Sequence, residues 1–300
     1  MAEIIKLESI TDVHEFYGIE KPSHPLVSVL PITEETFDYG DAGYSMNLYM
    51  ISLKVGISGR LGYGRNSYDF EEGSMLFSKP YQVLRVMNEE NVPGRSGWSL
   101  LFHPDLLLKS ELGRKIEQYS FFSYEVSEAL HLSERERESV SVLIEKIDEE
   151  CRMNIDRHSQ TLIVANIGLL LDYCTRYYDR QFYTRSNLNK DVVTRFERLV
   201  TTYFDSDLAS EQGLLTVKFC AAELNMSSHY LSDLLKKETG SSAQDHIYRA
   251  LISKAKTLLL GTPQTISEIA YSLGFEYSQH FSKLFKSKTG MSPGAFRNLN

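Results

Sequence analysis

The last third of the chain contains the same pattern twice, at a spacing of 50 residues. The first copy starts at Ala221 and reads AAELNMSSHYLSDLLKKETGSS; the second starts at Ala270 and reads AYSLGFEYSQHFSKLFKSKTGMSP. The aligned pairs are Ser228 with Ser278, Leu231 with Phe281, Leu235 with Phe285, Lys236 with Lys286, and Thr239-Gly240 with Thr289-Gly290. Each copy predicts a short helix ending in A-x-x-L, a tight turn and a second helix. This is the layout of a helix-turn-helix, whose second helix can lie in the DNA major groove.

The second helix of each copy is predicted to have one apolar and one polar face. Leu231, Leu234 and Leu235 share a face at i, i+3, i+4, and Phe281, Leu284 and Phe285 repeat the arrangement. Polar groups on the opposite face suit the reading of base edges, where each bidentate contact discriminates by roughly 1–3 kcal/mol. A single amphipathic surface helix would look the same, so the repetition in register is what favours base reading. The residues predicted to face bases are His229, Ser232, Asp233, Gln279, His280, Ser282 and Lys283.

The ends of the same helices predict contacts with phosphate. Exposed helix N-termini favour anions, and lysine side chains nearer the other end of each helix offer positive charge to phosphate. The serines at the helix starts can also cap the helices. The residues predicted to face phosphate are Ser227, Ser228, Lys236, Ser278 and Lys286.

The stretch SEIAYSLGFEYSQHFSKLFKSKTGMSPGAFR, residues 267–297, resembles the signature of AraC/XylS-type transcriptional regulators. The matching positions are Gly274-Phe275, Phe281, Phe285-Lys286, Gly290, Ser292-Pro293 and Arg297. The resemblance extends from residue 190 to the end of the chain. It implies two helix-turn-helix units that enter adjacent major-groove segments on one face of the DNA. The helix that joins the two units would be residues 244–260.

Two positions depart from the family's pattern. Leu251 stands where many members carry an arginine, and Asp233 is acidic at a usual base-facing position. A carboxylate can accept a hydrogen bond from cytosine N4, but it also repels phosphate. Asp233 is therefore a weaker candidate reader than His229 or Ser232.

Charge is distributed unevenly along the chain, whose formal net charge is −8. Residues 188–300 contain 13 Lys and Arg against 11 Asp and Glu, a net charge of +2. Residues 1–187 contain 19 Lys and Arg against 29 Asp and Glu, a net charge of −10. Because local charge governs affinity for phosphate, the acidic first part does not argue against DNA binding by the last part. The modest basic excess predicts few phosphate contacts and a moderate dependence on salt.

The first half of the chain reads as strands followed by helices. Between residues 26 and 102, short segments rich in Val, Ile, Tyr and Phe are separated by turn residues, which predicts a β-sandwich or barrel. Helical patterns follow at residues 104–116, 133–154 and 157–180, with a capping box between Ser133 and Glu136. This order resembles the sensor half of AraC-type regulators, a small cupin-like barrel with dimerising helices. The run SYDFEEGSMLFSKPYQ, residues 67–82, resembles a strand-turn-strand of such barrels.

The expected fold class is therefore α+β with two domains. An N-terminal cupin-like β-barrel with C-terminal helices is followed by an all-α domain with two helix-turn-helix units. Residues 1–180 would form the regulatory, sensor and dimerisation domain, with the barrel at about 20–103 and the helices at about 104–180. Residues 181–189, which interrupt the helical pattern, would be a linker. Residues 190–300 would be the tandem DNA-binding domain.

The resemblance implies a pocket for a small-molecule effector in the barrel, without identifying the effector. Aromatic side chains suit such a pocket, although each is equally compatible with an ordinary core or surface position. The predicted lining residues are Tyr49, Tyr63, Tyr68, Tyr81 and Trp98. An apolar stripe on the helices between 133 and 180 can pack on the barrel or pair two subunits. The expected partners are double-stranded DNA, a second copy of the chain and RNA polymerase.

Other functional classes receive little support from the sequence. Cys151, Cys174 and Cys220 are widely spaced, which predicts neither a disulfide framework nor a zinc site. The chain shows no signal-peptide pattern and no apolar run of about 18 residues, so we expect a cytoplasmic protein away from membranes. His24 and His103 lie far apart, and no nucleophile–base pattern is seen, so we expect no catalytic residue, metal or cofactor. Two alternatives stay open: a ligand-independent dimeric regulator controlled by a protein partner, and a cupin enzyme with an appended helical module.

Overall fold

The computed structural model describes residues 4–32, 43–55, 73–85, 96–125, 128–184 and 186–298. The chain divides into two compact units, residues 1–183 and residues 184–300. The first unit combines β-sheets with helices, and the described regular elements of the second are all helices.

The described strands of the first unit form two sheets. The strands are β1 (Ile4–Leu7), β2 (Val27–Ile32), β3 (Gly43–Met46), β4 (Tyr49–Val55), β5 (Ser74–Ser78), β6 (Val83–Arg85), β7 (Ser96–Phe102) and β8 (Leu130–His131). One sheet has the strand order β1-β3-β6, and the other has the order β2-β7-β4-β5-β8. These two sheets do not close into a barrel over the residues that the structure describes, so the predicted cupin-like barrel is not seen there. The β-rich character of this region is as the alternating segments predicted.

The larger sheet is covered on both faces. Because side chains alternate along a strand, the register that pairs Ile51 with Leu100 and with Phe77 places these three on one face. That face meets aromatic and helical residues, since the rings of Phe77 and Phe121 lie 4.5 Å apart. The opposite face contributes Leu30 and Leu101 to a buried cluster that also includes residues of β1 and β3. Helix α1 (Ile10–Phe16), which begins with a capping box at Ser9, completes this cluster.

The helices of the first unit follow the sheets. They are α2 (Glu111–Lys115), α3 (Glu134–Arg152) and α4 (Ser159–Thr184), with 3-10 turns at Pro104–Leu107, Ile116–Gln118 and Ser120–Ser123. The predicted capping box between Ser133 and Glu136 is confirmed at the start of α3. The single helix predicted over 104–116 is wrong. Lys109 has a φ of +63°, a left-handed conformation that ends one turn before Ser110 caps α2.

The division between the two units falls after residue 183, inside the predicted linker at 181–189, but the described residues of this segment are helical. Residues 181–184 complete α4, and residues 186–189 lie at the start of the next helix. The polar Gln181 is buried: its amide N–H donates to Ala129 O at 3.1 Å, and its Oε1 accepts from His131 N–H at 2.8 Å. These bonds to the backbone around β8 satisfy the polar groups of this buried side chain.

The second unit contains the helices α5 (Ser186–Asp205), α6 (Leu208–Gln212), α7 (Val217–Glu223), α8 (Ser228–Thr239), α9 (Ala243–Gly261), α10 (Ile266–Ser272), α11 (Ser278–Thr289) and α12 (Pro293–Arg297). Helix α9 matches the predicted connecting helix at residues 244–260 within one residue at each end. No helix of the described residues in either unit is long and apolar enough to cross a membrane. Cys151, Cys174 and Cys220 are buried free thiols.

Candidate nucleic-acid interface

The first helix-turn-helix consists of α7 and α8. Thr216 caps α7 by accepting a hydrogen bond from Phe219 N–H at 3.1 Å. After α7 the chain turns through Asn225, whose φ of +55° is tolerated by asparagine better than by most residues. Ser227 then caps α8 by accepting from Tyr230 N–H at 3.1 Å. The helix starts of this unit are therefore fixed by local side-chain bonds that the sequence provides.

Helix α8 has the two faces that its periodicity predicted. Leu231, Leu234 and Leu235 are buried, and Tyr230 joins them in the core. On the opposite face His229 and Lys236 are exposed, while Ser232 and Asp233 are half-buried. The polar face therefore carries an imidazole, a hydroxyl and a carboxylate, with one lysine near the helix C-terminus.

The second helix-turn-helix consists of α10 and α11, and its turn is one residue longer. Three residues separate Leu224 from Ser228, whereas four separate Leu273 from Ser278. The turn passes through Gly274, with a φ of +88°, at the position where the first copy has Asn225. A Cβ added at Gly274 would lie 2.4 Å from the Gly213 carbonyl oxygen. The second turn therefore needs glycine both for its backbone conformation and for close approach to the loop after α6.

Helix α11 presents its polar face more openly than α8. Phe281 and Phe285 are fully buried, and Leu284 is half-buried. The exposed side chains are Gln279, His280, Lys283 and Lys286, and Ser282 is half-buried. Where α8 carries Asp233, α11 carries Lys283, so the two polar faces differ in charge at equivalent positions.

The second helices of the two units, α8 and α11, end in the same way. Gly240 and Gly290 follow them with φ values of +75° and +81°. The hydroxyls of Thr239 and Thr289 donate to Leu235 O at 2.7 Å and to Phe285 O at 2.8 Å. Both helices are 12 residues long, so the repeated sequence produces two copies of one structural unit.

The predicted phosphate-facing serines require a correction. Ser227 is buried and its hydroxyl caps α8, so this side chain is not presented at the surface. Ser278 does not cap α11, because the cap residue is Tyr277, which makes no side-chain cap hydrogen bond. Ser228 and Ser278 are half-buried at the first positions of their helices. Lys236 and Lys286 are exposed in the last turn of their helices, as the pattern predicted.

Two residues of the second unit have structural tasks that sequence reasoning did not foresee. Leu251 is buried in α9, which gives the departure from arginine a physical reason, because this position contributes to the core. Arg297 donates hydrogen bonds to Leu259 O at 3.1 Å and to Gln264 O at 2.6 Å. The family signature marked Arg297, but the spacing alone gave no hint of which backbone groups it would reach.

Three of the residues predicted to line an effector pocket lie in the described part of the first unit: Tyr49, Tyr81 and Trp98. Tyr63 and Tyr68 lie outside the described residues. Tyr81 is 62% exposed, whereas Tyr49 stacks on Phe102 with ring centroids 5.1 Å apart. Burial raises the pKa of the Tyr49 hydroxyl, with a smaller effect of Glu117. Tyr49 and Trp98 lie on one sheet face, four positions apart in register, or about 13 Å.

Trp98 itself is buried, and its indole N–H has no hydrogen-bond partner among the residues that the structure describes. His103, one of the histidines considered for a metal site, accepts from Asp105 N–H through Nδ1 and lies 3.2 Å from Asn47 Nδ2 through Nε2. The described ranges contain no group of three or more His, Cys, Asp and Glu side chains that could hold a metal ion.

A comparison with protein-family models finds its match in the same region. Residues 220–299 match a family model described as a helix-turn-helix domain. The HTH-type transcriptional regulator YijO of Escherichia coli is 28% identical over 189 residues, 63% of each chain. The HTH-type transcriptional activator RhaR of Salmonella dublin is 32% identical over 107 residues, 36% of each chain.

A third relative, AdaA of Bacillus subtilis, is named a bifunctional transcriptional activator and DNA repair enzyme. It is 29% identical over 102 residues, which are 34% of this chain and 47% of the relative. The matched regions span less than two thirds of the length of each of these three relatives.

Proposed function

The carboxyl-terminal part of this chain is an AraC-type helix-turn-helix domain, and on that premise we propose that the protein is a transcription regulator that binds double-stranded DNA through α8 and α11. The two helices read adjacent major-groove segments on one face of the duplex. The observation that carries the proposal is the duplication itself: two helices of equal length, with equivalent C-terminal glycines, each expose a polar face opposite a buried one. One such face is ordinary for a surface helix, whereas two in register within one compact unit match a tandem reader.

The exposed residues divide by chemistry into two groups. On the reading faces, side chains with directional hydrogen bonds suit base edges; we assign His229, Ser232, Gln279, His280, Ser282 and Lys283 to this task, with Asp233 restricted to a cytosine edge. Lys236 and Lys286 suit phosphates because a lysine ammonium acts as a point charge without base preference. Ser228 and Ser278, at the helix starts, are further phosphate contacts, and the buried Ser227 is left as a cap.

The experiment that tests the proposal is selection of binding sites from random duplex DNA by the full-length chain. We expect enrichment of two short sequences at a fixed separation of about one helical turn, roughly 10–10.5 base pairs centre to centre. A double variant, Gln279→Ala with Lys283→Ala, should lose the sequence assigned to α11 and keep the one assigned to α8. Enrichment of one sequence alone by the unaltered protein, or of none at moderate salt, would contradict a tandem reader.

For the first unit we propose dimerisation through the exposed side of α4. Leu162 and Leu169 lie seven residues apart on this helix and are 47% and 46% exposed, with the exposed Ala165 between them. Residues at i, i+3 and i+7 share one helix face, so these side chains form a continuous apolar stripe. A second copy of the same stripe is the occupant we propose, because a dimer of readers engages two half-sites.

The effector role of the first unit follows from the resemblance of the β-rich part to sensor domains. We propose that an effector which binds the native first unit alters this dimer or its activity toward RNA polymerase. A panel of metabolites tested by thermal unfolding checks this, because a ligand selective for the native state raises the apparent stability. Since its target is DNA, we place the protein in the cytoplasm.

A second candidate is a regulator that binds no small molecule and responds to a protein partner. The observation that favours it is the separation of the candidate pocket residues, since Tyr81 is exposed and Tyr49 and Trp98 lie about 13 Å apart along the sheet. A melting temperature that stays constant over the whole metabolite panel, together with retained site selection, is the result expected for this candidate.

A further inference from the structure

The last helix, α12, connects the second recognition helix to the connecting helix α9. It is only five residues long and begins at Ser292, whose hydroxyl accepts from Ala295 N–H at 3.2 Å. A helix this short is not stable alone, so its position depends on what holds it. On one side the ring of Phe296 lies 5.5 Å from the ring of Phe285 in α11. On the other side Lys256 of α9 lies 5.5 Å from the same Phe296 ring.

Arg297 adds the directional part of this connection. Its Nε donates to Leu259 O in the last turn of α9, at 3.1 Å, and its terminal amino group donates to Gln264 O in the following loop, at 2.6 Å. Both acceptors are backbone carbonyls, one of them an end carbonyl of a helix. A planar guanidinium can bridge two such acceptors at once and so fixes the direction as well as the distance between α12 and the end of α9.

The two copies of the repeat differ in how their recognition helix is held. Helix α8 packs on α7, α5 and α9, whereas α11 packs on α10 and α12, which in turn pack on α9. Lys288 of α11 also approaches Asp245 of α9, with 3.8 Å between Nζ and Oδ1. At the position of Arg297 the first copy has Ile247, a buried residue of α9 itself. The long α9 therefore supports α8 by packing, as the short α12 supports α11. Only the short helix needs the additional hydrogen bonds of Arg297 to fix its position.

We propose that Arg297 is a positioning residue that sets the placement of α11 relative to α8, and thereby the separation of the two DNA segments that the protein accepts. This inference rests on the proposed function, because the separation matters only if both helices read DNA together. Arg297 contacts no base in this account. Its effect appears in the tolerance of the protein for changes in spacing, not in the sequences that it prefers.

The test uses the full-length chain and the site obtained by selection, together with duplexes in which one base pair is inserted between the two segments. Arg297→Lys keeps the positive charge but replaces the two-pronged donor with a single ammonium group. Arg195→Lys, at an exposed arginine of α5, serves as the matched control. For the unaltered protein and the control we expect the insertion to weaken binding about tenfold, the size of one lost base contact.

For Arg297→Lys we expect weaker binding to the original site but a much smaller penalty for the insertion, roughly threefold or less. An insertion penalty equal to that of the unaltered protein would overturn the inference. So would complete loss of the α11 sequence from the sites that the variant selects, because Arg297 would then maintain the fold of the second unit and not its placement. If the unaltered protein selects no two-segment site, the proposed function fails instead, so the two failures are distinguishable.

Discussion

Gln279 and Lys286 lie on the same exposed face of α11, seven residues apart, and have different tasks in the proposed complex. Gln279 has a directional amide at the start of the helix, so Gln279→Ala should relax specificity at one or two base pairs, by roughly 1–3 kcal/mol at each. Lys286→Ala should instead weaken binding to specific DNA and to random DNA about equally. It should also lower the salt dependence of binding by about one counterion. Binding to both kinds of DNA over a salt series measures the difference. Equal losses from Gln279→Ala on specific and random DNA would remove it from the readers.

His246 predicts a dependence of stability on pH. Burial lowers the pKa of this imidazole below its ordinary value of 6.5, and Arg249 acts in the same direction. The folded chain therefore binds the proton less well than the unfolded chain, so the contribution of neutral His246 is complete above pH 6.5. It is lost as the pH falls from there toward the lowered pKa.

The variant that checks this is His246→Phe, since the equivalent position of the second copy is Phe296. The variant keeps a ring against Phe196, whose centroid lies 5.9 Å from that of His246, and loses the bond to the Thr239 hydroxyl at 2.7 Å. Between pH 7 and pH 5 the melting temperature of the unaltered protein should fall further than that of the variant. Parallel curves for the two proteins would show that the pKa of His246 is the same in the folded and unfolded chains.

At the scale of single residues, periodicity predicted which side chains of α8 and α11 are exposed. It did not predict the role of a residue whose type can serve two purposes. Gln279 and Lys286 are exposed because their spacing opposes Phe281 and Phe285, which the pattern reveals. A serine before a helix, in contrast, can bind phosphate or cap the helix, and Ser227 does the second. The reach of Arg297 to two carbonyls was hidden for a related reason: the acceptors are backbone atoms, which every residue has.

At the scale of elements, two glycines of the second helix-turn-helix unit differ in what they tolerate. Gly274 combines a φ of +88° with a neighbouring carbonyl that an added Cβ would approach to 2.4 Å, whereas Gly290 has a φ of +81° and open space. Gly290→Ala should therefore cost about 1–2 kcal/mol for the left-handed conformation alone. Gly274→Ala should cost more than about 3 kcal/mol, because the backbone at Gly213 must also move.

The composition of the chain offers an internal control for this comparison. The single tryptophan, Trp98, lies in the first unit, so its fluorescence follows that unit during urea unfolding. Far-UV circular dichroism follows the helices of both units, and most of the described helical residues lie in the second unit. Gly274→Ala should lower the urea concentration at the midpoint of unfolding measured by circular dichroism. The midpoint measured by tryptophan fluorescence should stay unchanged. Similar shifts for Gly274→Ala and Gly290→Ala would show that the approach to Gly213 adds nothing to the cost.

Elements with strong periodicity were predictable from the sequence, and those fixed by tertiary contacts were not. The connecting helix α9 and the start of α3 follow from an apolar repeat and a capping box. The break at Lys109 depends on a left-handed residue with no glycine or asparagine to signal it. The continuation of α4 through Gln181 depends on bonds to residues some 50 positions earlier, which local patterns do not contain.

At the scale of the whole molecule, the proposed dimer predicts that the apolar stripe of α4 controls assembly. Leu162→Glu with Leu169→Glu would place four carboxylates against one another across a self-complementary interface, so the protein should sediment as a monomer. Met153→Glu, at a residue 62% exposed just beyond α3, is the control and should leave the dimer intact. A dimer that survives the double change would place the interface elsewhere.

The charge of the chain was readable from the sequence at this scale, but the shape of the first unit was not. The acidic excess of residues 1–187 and the small basic excess of residues 188–300 require only counting. Whether strands close into a barrel depends on the pairing of edges, and alternation along a strand indicates its faces without naming its neighbours. The two sheets of the described residues show the pairing that alternation leaves undetermined.

The measurement that tests the central claim most directly is a hydroxyl-radical footprint, combined with guanine methylation interference, of the full-length protein on its selected site. Two recognition helices that bind together predict two interference clusters in the major groove, about one helical turn apart on one face of the duplex. The Gln279→Ala, Lys283→Ala variant should lose only the cluster assigned to α11. One cluster in the complex of the unaltered protein, or two clusters on opposite faces, would contradict simultaneous reading by α8 and α11.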